Sequence, residues 1–440
     1  MSVIVLDIGS SSVRAMLFDD TAQLIEGASV AQPHQFATDG TGMSVADAVA
    51  LQTKVEACID DLLTHPVMLY APDEVRAVGM ATFASSLVGV DRRGVALTPV
   101  YTYADTRSNA DLAALGAQVD TAAAYLRTGT PLHTAYLPAK LAWLRRNQPE
   151  LYDSVALWCD FSTYLYRQWF GLAVSSYSVA AWSGLLDRQT LTWDTDWRAV
   201  LELPAQQLPP LADYTATLTG LRPVYGTRWG AVRSVPFYLA VGDGAAANIG
   251  LGAVSQGDIG LTVGTTAALR VVSRTLPTVP DGLWSYRIDA KHHLTGGATN
   301  EGGNVYQWAK ATFALDDDEV ELALTQRPAD AHGLTWLPLL AGERSPGWRA
   351  DAAGTLHGIR LATTPLDICQ ALLESVALRL ALIAEQLTPL EPDDALPQVY
   401  AGGGALSASP AWAQLICNAL DTPLMLVEEP QATGRGVAIL

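Results

Sequence analysis

The sequence predicts an α/β protein made of two similar halves with a cleft between them. Three observations carry this. The segment Leu6-Asp7-Ile8-Gly9-Ser10-Ser11-Ser12 recurs about 255 residues later as Leu261-Thr262-Val263-Gly264-Thr265-Thr266-Ala267, with no gap in the alignment. At 440 residues the chain is too long for one compact core. Strand-like apolar runs also alternate with helix-like periods in both halves.

Taken in order, the first half opens with strands at Ser2–Asp7 and Val13–Phe18, joined by a glycine turn. Apolar residues at helical spacing predict a helix from Val45 to Leu63. Strands follow at Val75–Met80 and Leu87–Val90, and Asp91-Arg92-Arg93-Gly94 makes a turn. Helical periods rich in tryptophan run from Asn109 to Phe170. A proline- and threonine-rich insertion covers Asp194 to Arg233. The second half restarts with a strand at Pro236–Val241 and continues into the second hairpin. A long helix is expected at Pro365–Leu387, then a strand–glycine–helix unit at Val399–Ala419. The domain boundary falls between residues 238 and 239.

Composition narrows the partners. A formal net charge of −18 disfavours nucleic acid and anionic membrane surfaces, because nothing offsets phosphate repulsion over a broad face. An anionic substrate must then be held by local donors and a metal. Cys58, Cys159, Cys369 and Cys417 are far apart, so reduced core thiols are expected rather than a disulfide framework or metal cluster. Met1 leads straight into a strand with no leader-like region, and no apolar run approaches the ~20 residues of a membrane span. A cytoplasmic protein is expected.

The glycine turns carry the chemistry. Glycine frees the backbone to turn several N–H groups toward one anion, and the following hydroxyls add donors. A Walker or Rossmann turn would open a helix, but Val13–Phe18 reads as a strand, and the chain has neither GKS/GKT nor GxGxxG. The matched pair therefore reads as two grips on a polyphosphate, with a third turn at Gly402-Gly403-Gly404. Asp7, at the end of a buried strand, needs a cation or hydrogen bonds; a Mg²⁺ on phosphate oxygens is one such cation and a cap on local N–H groups the alternative. Asp243, between Gly242 and Gly244, reads either as a helix cap or as a general base on a substrate hydroxyl.

These residues resemble the FGGY family of carbohydrate kinases, within the sugar kinase/actin/Hsp70-like, ribonuclease H-like fold, over nearly the whole chain. Asp7–Ser12 resembles the family's first phosphate motif and Thr262–Thr266 its second. Gly242-Asp243-Gly244 is similar to the segment holding the catalytic aspartate, and Gly402–Ser407 with Trp412, Gln414, Asp421 and Pro423 resembles the adenosine motif. The resemblance implies ATP and Mg²⁺, with Asp243 catalytic and Asp7 at the metal. The nucleotide would meet Gly9, Ser10, Ser11, Ser12, Arg14, Gly264, Thr265, Thr266, Gly303, Gln307, Gly403, Gly404 and Ser407. Lys140-Leu141-Ala142-Trp143-Leu144 resembles the core of the first family signature, and Ala432–Ala438 the start of the closing helix.

Within the family, Tyr103-Ala104-Asp105-Thr106-Arg107-Ser108 is most similar to a stretch of gluconate kinases, and so is Thr130–His133 with Tyr136. That implies Tyr103, Asp105, His133, Tyr136 and Asp243 on the sugar. Arg107 is a candidate donor to a substrate carboxylate, with structural pairing to Asp105 as the alternative. The methionine–histidine pair of xylulose kinases and the arginine–glutamate pair of glycerol kinases are both missing near Phe83-Ala84. The expectation is ATP-dependent phosphorylation of a primary hydroxyl, on D-gluconate before D-xylulose or a polyol. A sugar-sensing relative and an actin- or chaperone-type ATPase are the competing classes, and a homodimer is left open. An N-terminal sugar-binding domain, 1–238, and a C-terminal nucleotide-binding domain, 239–440, complete the reading.

Overall fold

The computed structural model describes residues 2–66, 68, 75–387 and 398–440. The chain divides into two units. The first comprises Met1–Gly250, Ser285–His293 and Gln431–Leu440; the second comprises Leu251–Trp284 and Leu294–Pro430. Residues 239–250, read from the sequence as the start of the second domain, group with the first unit.

The first unit is built on a sheet of seven strands: β1 (Ser2–Ile8), β2 (Ser12–Asp19), β3 (Leu24–Pro33), β4 (Val75–Thr82), β5 (Thr217–Leu218), β6 (Phe237–Tyr238) and β7 (Val241–Gly242). The order is β5-β6-β4-β1-β2-β3, with β7 also on β4. β1 pairs antiparallel with β2 and parallel with β4. It is central and covered on both faces, which explains an unbroken apolar run where a half-exposed strand would alternate. Helix α1 (Ala48–Thr64) connects β3 to β4, and Asp47 caps it by accepting from the Ala50 N–H. Its buried face, including Leu51, Val55, Ile59 and Leu62, joins the core of the sheet.

After β7 comes α2 (Asp243–Gly250). The plan then repeats with β8 (Ile259–Val263), β9 (Ala267–Ser273), β10 (Trp284–Arg287, of which Ser285–Arg287 count with the first unit), β11 (His293–Thr299), α3 (Gly303–Phe313), α4 (Pro365–Leu387), β12 (Val399–Gly402), α5 (Gly404–Ala408), α6 (Pro410–Leu420) and β13 (Leu424–Leu426). The sheet order is β10-β11-β9-β8-β12-β13. β8 has an antiparallel hairpin partner, β9, and a parallel one, β12, as β1 has β2 and β4. The duplication read from seven residues is thus a duplication of topology. It is not gapless: Ile8 pairs with Val13, leaving four turn residues, whereas Val263 pairs with Ala267, leaving three.

The last helix, α7 (Ala432–Ile439), returns to the first unit and crosses α2 at backbone contact. A Cβ on Gly436 would lie 1.8 Å from the Ala246 carbonyl oxygen, and one on Gly250 would lie 1.8 Å from that of Ala432. The crossing requires glycine on both helices. All four cysteines are free, and three are buried. Among the described residues, no helix is long and apolar enough to cross a membrane.

Candidate active site

In the first unit, the β1–β2 turn is held from behind by β3's end. Gly9 N–H donates to Ser12 O (3.0 Å) and His34 N–H to Ser11 O (2.9 Å), and His34 Nε2 lies 2.9 Å from Gly9 O. That leaves Ser10 and Ser11 exposed at the tip. Asp7 is 4% exposed, and Arg14, its register partner on β2, donates from Nη1 at 3.1 Å. Burial pushes the Asp7 carboxyl up, while Arg14 pulls it down. Arg14 thus supplies one partner for the buried carboxylate, which the sequence reading had given to Mg²⁺ or to local N–H groups.

Asp7 and Asp243 emerge at the same end of one sheet. Asp7 and Val241 both lie level with Ala81 of β4, on its two sides, so their strands run about 10 Å apart. Asp243 follows directly as the first residue of α2, where the helix dipole favours negative charge, and its Oδ1 accepts from the Gly244 N–H at 2.7 Å. The helix-start reading of Asp243 is the arrangement found. Gly242 before it has no room for a side chain, because a Cβ would stand 2.5 Å from Trp182 Nε1.

The residues expected at the sugar are linked to this point through aromatic contacts. Trp182 stacks on Tyr286 at 4.1 Å, and the Tyr286 hydroxyl bonds that of Tyr136 at 2.7 Å. Tyr136 caps the helix Leu137–Asn147. His133, just before it, accepts the Ala135 N–H on Nδ1 (3.1 Å), which places the ring proton on Nε2. Lys140, on the same helix, is buried and donates to Thr134 O at 2.5 Å. Burial pulls its pKa down to about 7, and the charge of Asp105 opposes that shift. Asp105 accepts from Ser44 N–H (3.2 Å) and from Arg107 through Nε and Nη2, the latter at 2.6 Å. Arg107 in turn lies 4.5 Å from the Trp143 ring centroid. The pairing of Arg107 with Asp105, left open by the sequence, is the arrangement found. Tyr103 is half-buried beside them on the same loop.

In the second unit, the three glycine segments expected at the nucleotide come together. Gly264 N–H donates to Thr266 O (2.9 Å), Gly303 N–H to Gly264 O (2.7 Å) and Asn304 N–H to Thr265 O (3.2 Å). Gly403, at φ +112°, presses against the end of β8, and a Cβ there would lie 2.4 Å from Val263 O. Thr265, Thr266, Gly403, Gly404 and Ser407 are exposed, and Gln307 lies one turn into α3, also exposed. Arg270 Nη1 donates to Thr262 Oγ1 at 3.0 Å, as Arg14 does to Asp7 in the other hairpin.

Models of the N-terminal and C-terminal domains of the FGGY family of carbohydrate kinases match residues 2–250 and 260–440. The chain belongs to the FGGY family of carbohydrate kinases. A gluconokinase of Bacillus subtilis (strain 168) is 25% identical over 451 aligned positions, covering 99% of this chain and 86% of that protein. A xylulose kinase of Escherichia coli (strain K12) is 24% identical, covering 94% and 84%. The crystal structure of a gluconate kinase from Lactobacillus acidophilus matches with a TM-score of 0.91 at 25% identity, over 100% of this chain and 88% of that one. This FGGY protein is a carbohydrate kinase of the sugar kinase fold, acting on a small-molecule sugar with ATP.

Sequence reasoning missed several residues around these sites. Tyr286 and Trp182 lie far in sequence from the residues they touch, so no local pattern marks them. Glu301 did carry a signal: it is an acid just past a buried strand, much as Asp7 is an acid at the end of one.

Proposed function

We propose that this FGGY kinase phosphorylates a sugar or sugar acid on a primary hydroxyl, with D-gluconate the favoured acceptor. The observation that carries the kinase chemistry is the pair of carboxylates, Asp7 and Asp243, at one end of the first sheet beside the Gly9–Ser12 turn. Asp243 takes the proton of the attacking hydroxyl, and the glycine turn of each unit, with its hydroxyls, offers donors suited to ATP phosphates. The reaction is then mostly positioning and charge stabilisation. The first unit acts as the sugar-binding part and the second as the nucleotide-binding part.

Among the described residues, no group of three or more carboxylate, histidine or cysteine side chains could hold a metal alone. One buried carboxylate, also paired with Arg14, would help hold a Mg²⁺ but would not hold it alone. Asp7 is that carboxylate, and the ion's chemistry is to offset charge on the transferring group.

The preference for gluconate rests on the Tyr103–Ser108 stretch with His133 and Tyr136, and on the gluconokinase relatives. Arg107 is the donor for a substrate carboxylate, held in place by Asp105 and Trp143. D-Xylulose is the second reading, supported by xylulose kinases at similar identity. Retention of Asp7, Asp243 and both hydroxyl turns argues against a sensing relative without activity. A cytoplasmic enzyme, monomeric or a homodimer, fits this chemistry. The test is ADP release across sugars, polyols and sugar acids. Gluconate should give the highest kcat/KM; turnover only with a ketopentose or polyol would replace the acceptor and keep the kinase.

A further inference from the structure

Behind the Gly264–Thr266 turn sits a buried group of charges that the turn itself does not explain. Glu301, just past β11, is 1% exposed, and its Oε1 has no hydrogen-bond partner. Facing it are Glu343 and Arg344 from the loop before Pro346 and Arg379 from α4. Arg379 Nη2 is committed elsewhere, to Glu343 Oε1 at 2.5 Å and Ser345 O at 2.9 Å. The Nε groups of Arg344 and Arg379 are buried without partners. Two carboxylates thus share two guanidinium groups, and the pairing leaves Glu301 out.

A buried carboxylate left out of its ion pairs is costly when charged. Burial pushes Glu301 up to about 7, its own backbone N–H and the two arginines opposing the shift and Glu343 adding to it. The arrangement therefore favours a neutral Glu301 below pH 7. Ionising it creates a demand for a cation that Arg379 meets only by loosening from Glu343.

The backbone around Glu301 has little freedom to absorb such a change. Thr299 Oγ1 donates to Glu301 O (2.5 Å), and Asn300 Nδ2 to Ala341 O (2.8 Å) and Gly342 O (3.2 Å). Gly302 N–H donates to Asn304 Oδ1 (2.9 Å), and a Cβ on Gly302 would lie 2.6 Å from Thr266 C. The next two N–H groups, of Gly303 and Asn304, are those bonded to Gly264 and Thr265.

We infer that Glu301 is a positioning residue: its carboxyl, acting through the Gly302–Asn304 backbone, sets the Gly264–Thr266 turn and so the fit of the ATP phosphates. The link to ATP rests on the nucleotide role proposed above for that turn. Raising pH through neutrality should loosen the turn, since protonated Glu301 is the form that fits.

The test combines hydrogen exchange of peptides covering the two segments with calorimetric ATP binding, at pH 6 and pH 8. Wild type is compared with Glu301→Gln, which keeps the neutral shape, and Glu301→Ala, which removes it. After correction for intrinsic exchange, wild-type protection should fall at the higher pH, Gln should hold it, and Ala should lack it at both. ATP affinity should fall at least about threefold in wild type relative to Gln, the scale of one weakened hydrogen bond. Running Gln in parallel cancels the titration of ATP itself. Superimposable pH responses of wild type and Gln overturn the inference, even should the Ala chain fail to fold. An exchange response with unchanged ATP affinity instead overturns the nucleotide role of the turn.

Discussion

Asp243 stands at a helix start and is the base proposed above, and its neighbours bear on both roles. Gly242 gives up its side chain to Trp182, and the Gly244 N–H occupies one carboxylate oxygen. Asp243→Asn keeps the shape and the cap but cannot accept the substrate proton. It should lower kcat by about 10²–10⁴-fold with ATP binding intact; a variant with a third of wild-type turnover would remove Asp243 as the base. Lys140 offers a second test at this scale. Its pKa falls from 10.5 in a free chain to about 7 in the fold. Between those values the unfolded chain binds the extra proton, so the stability of the fold rises with pH and is lowest at and below neutrality. Lys140→Met removes that dependence. Its stability relative to wild type should be greatest at pH 7 and decline toward pH 10, as read by urea unfolding at the two pH values; an increase with pH would contradict the burial of an uncharged amine.

The glycine elements differ in what constrains them, and substitution separates the cases. A Cβ on Gly264 meets nothing within 4 Å, so Gly264→Val should leave thermal stability nearly unchanged while raising KM for ATP far more than KM for the sugar. Equal losses for both ligands would point to misfolding. Gly436→Ala is the opposite case. Alanine gains about 1 kcal/mol in helix propensity but meets the Ala246 carbonyl at 1.8 Å, a backbone atom that cannot rotate away. Destabilisation of at least the ~1–3 kcal/mol of an overpacked core should win, visible in the denaturation midpoint with activity per folded molecule retained. The sequence made the hairpins legible because their residues are local: Val13–Phe18 was expected and Ser12–Asp19 is found, and Pro365–Leu387 is matched end to end. The strand expected at Pro236–Val241 divides into two, at Phe237–Tyr238 and Val241–Gly242. β3 went unread because its buried and exposed residues do not alternate regularly. Of the site, the turns and both aspartates were readable. The Arg14–Asp7 pairing, the Trp182–Tyr286–Tyr136 contacts and the charge group at Glu301 depend on residues brought together from distant segments, which no local pattern encodes.

For the whole molecule, the sugar assignment and the fold make separate predictions. Asp105→Ala should raise KM for the acceptor substantially and leave that for ATP little changed, because the substitution frees Arg107 within the first unit. A parallel rise in both constants would show that Asp105 only supports the fold. The path of the chain has a further consequence. The first unit is left open after Gly250 and taken up again by Gln431–Leu440, with the whole of the second unit made in between. At a synthesis rate of ~5–20 residues per second, the glycine face of α2 waits roughly ten to forty seconds on the ribosome for the helix that covers it. The guest unit is complete first, and the host is sealed only as residues 431–440 emerge. A nascent chain arrested before residue 431 should therefore show a protease-resistant second unit beside a sensitive first one, and equal resistance of both would refute this order of assembly.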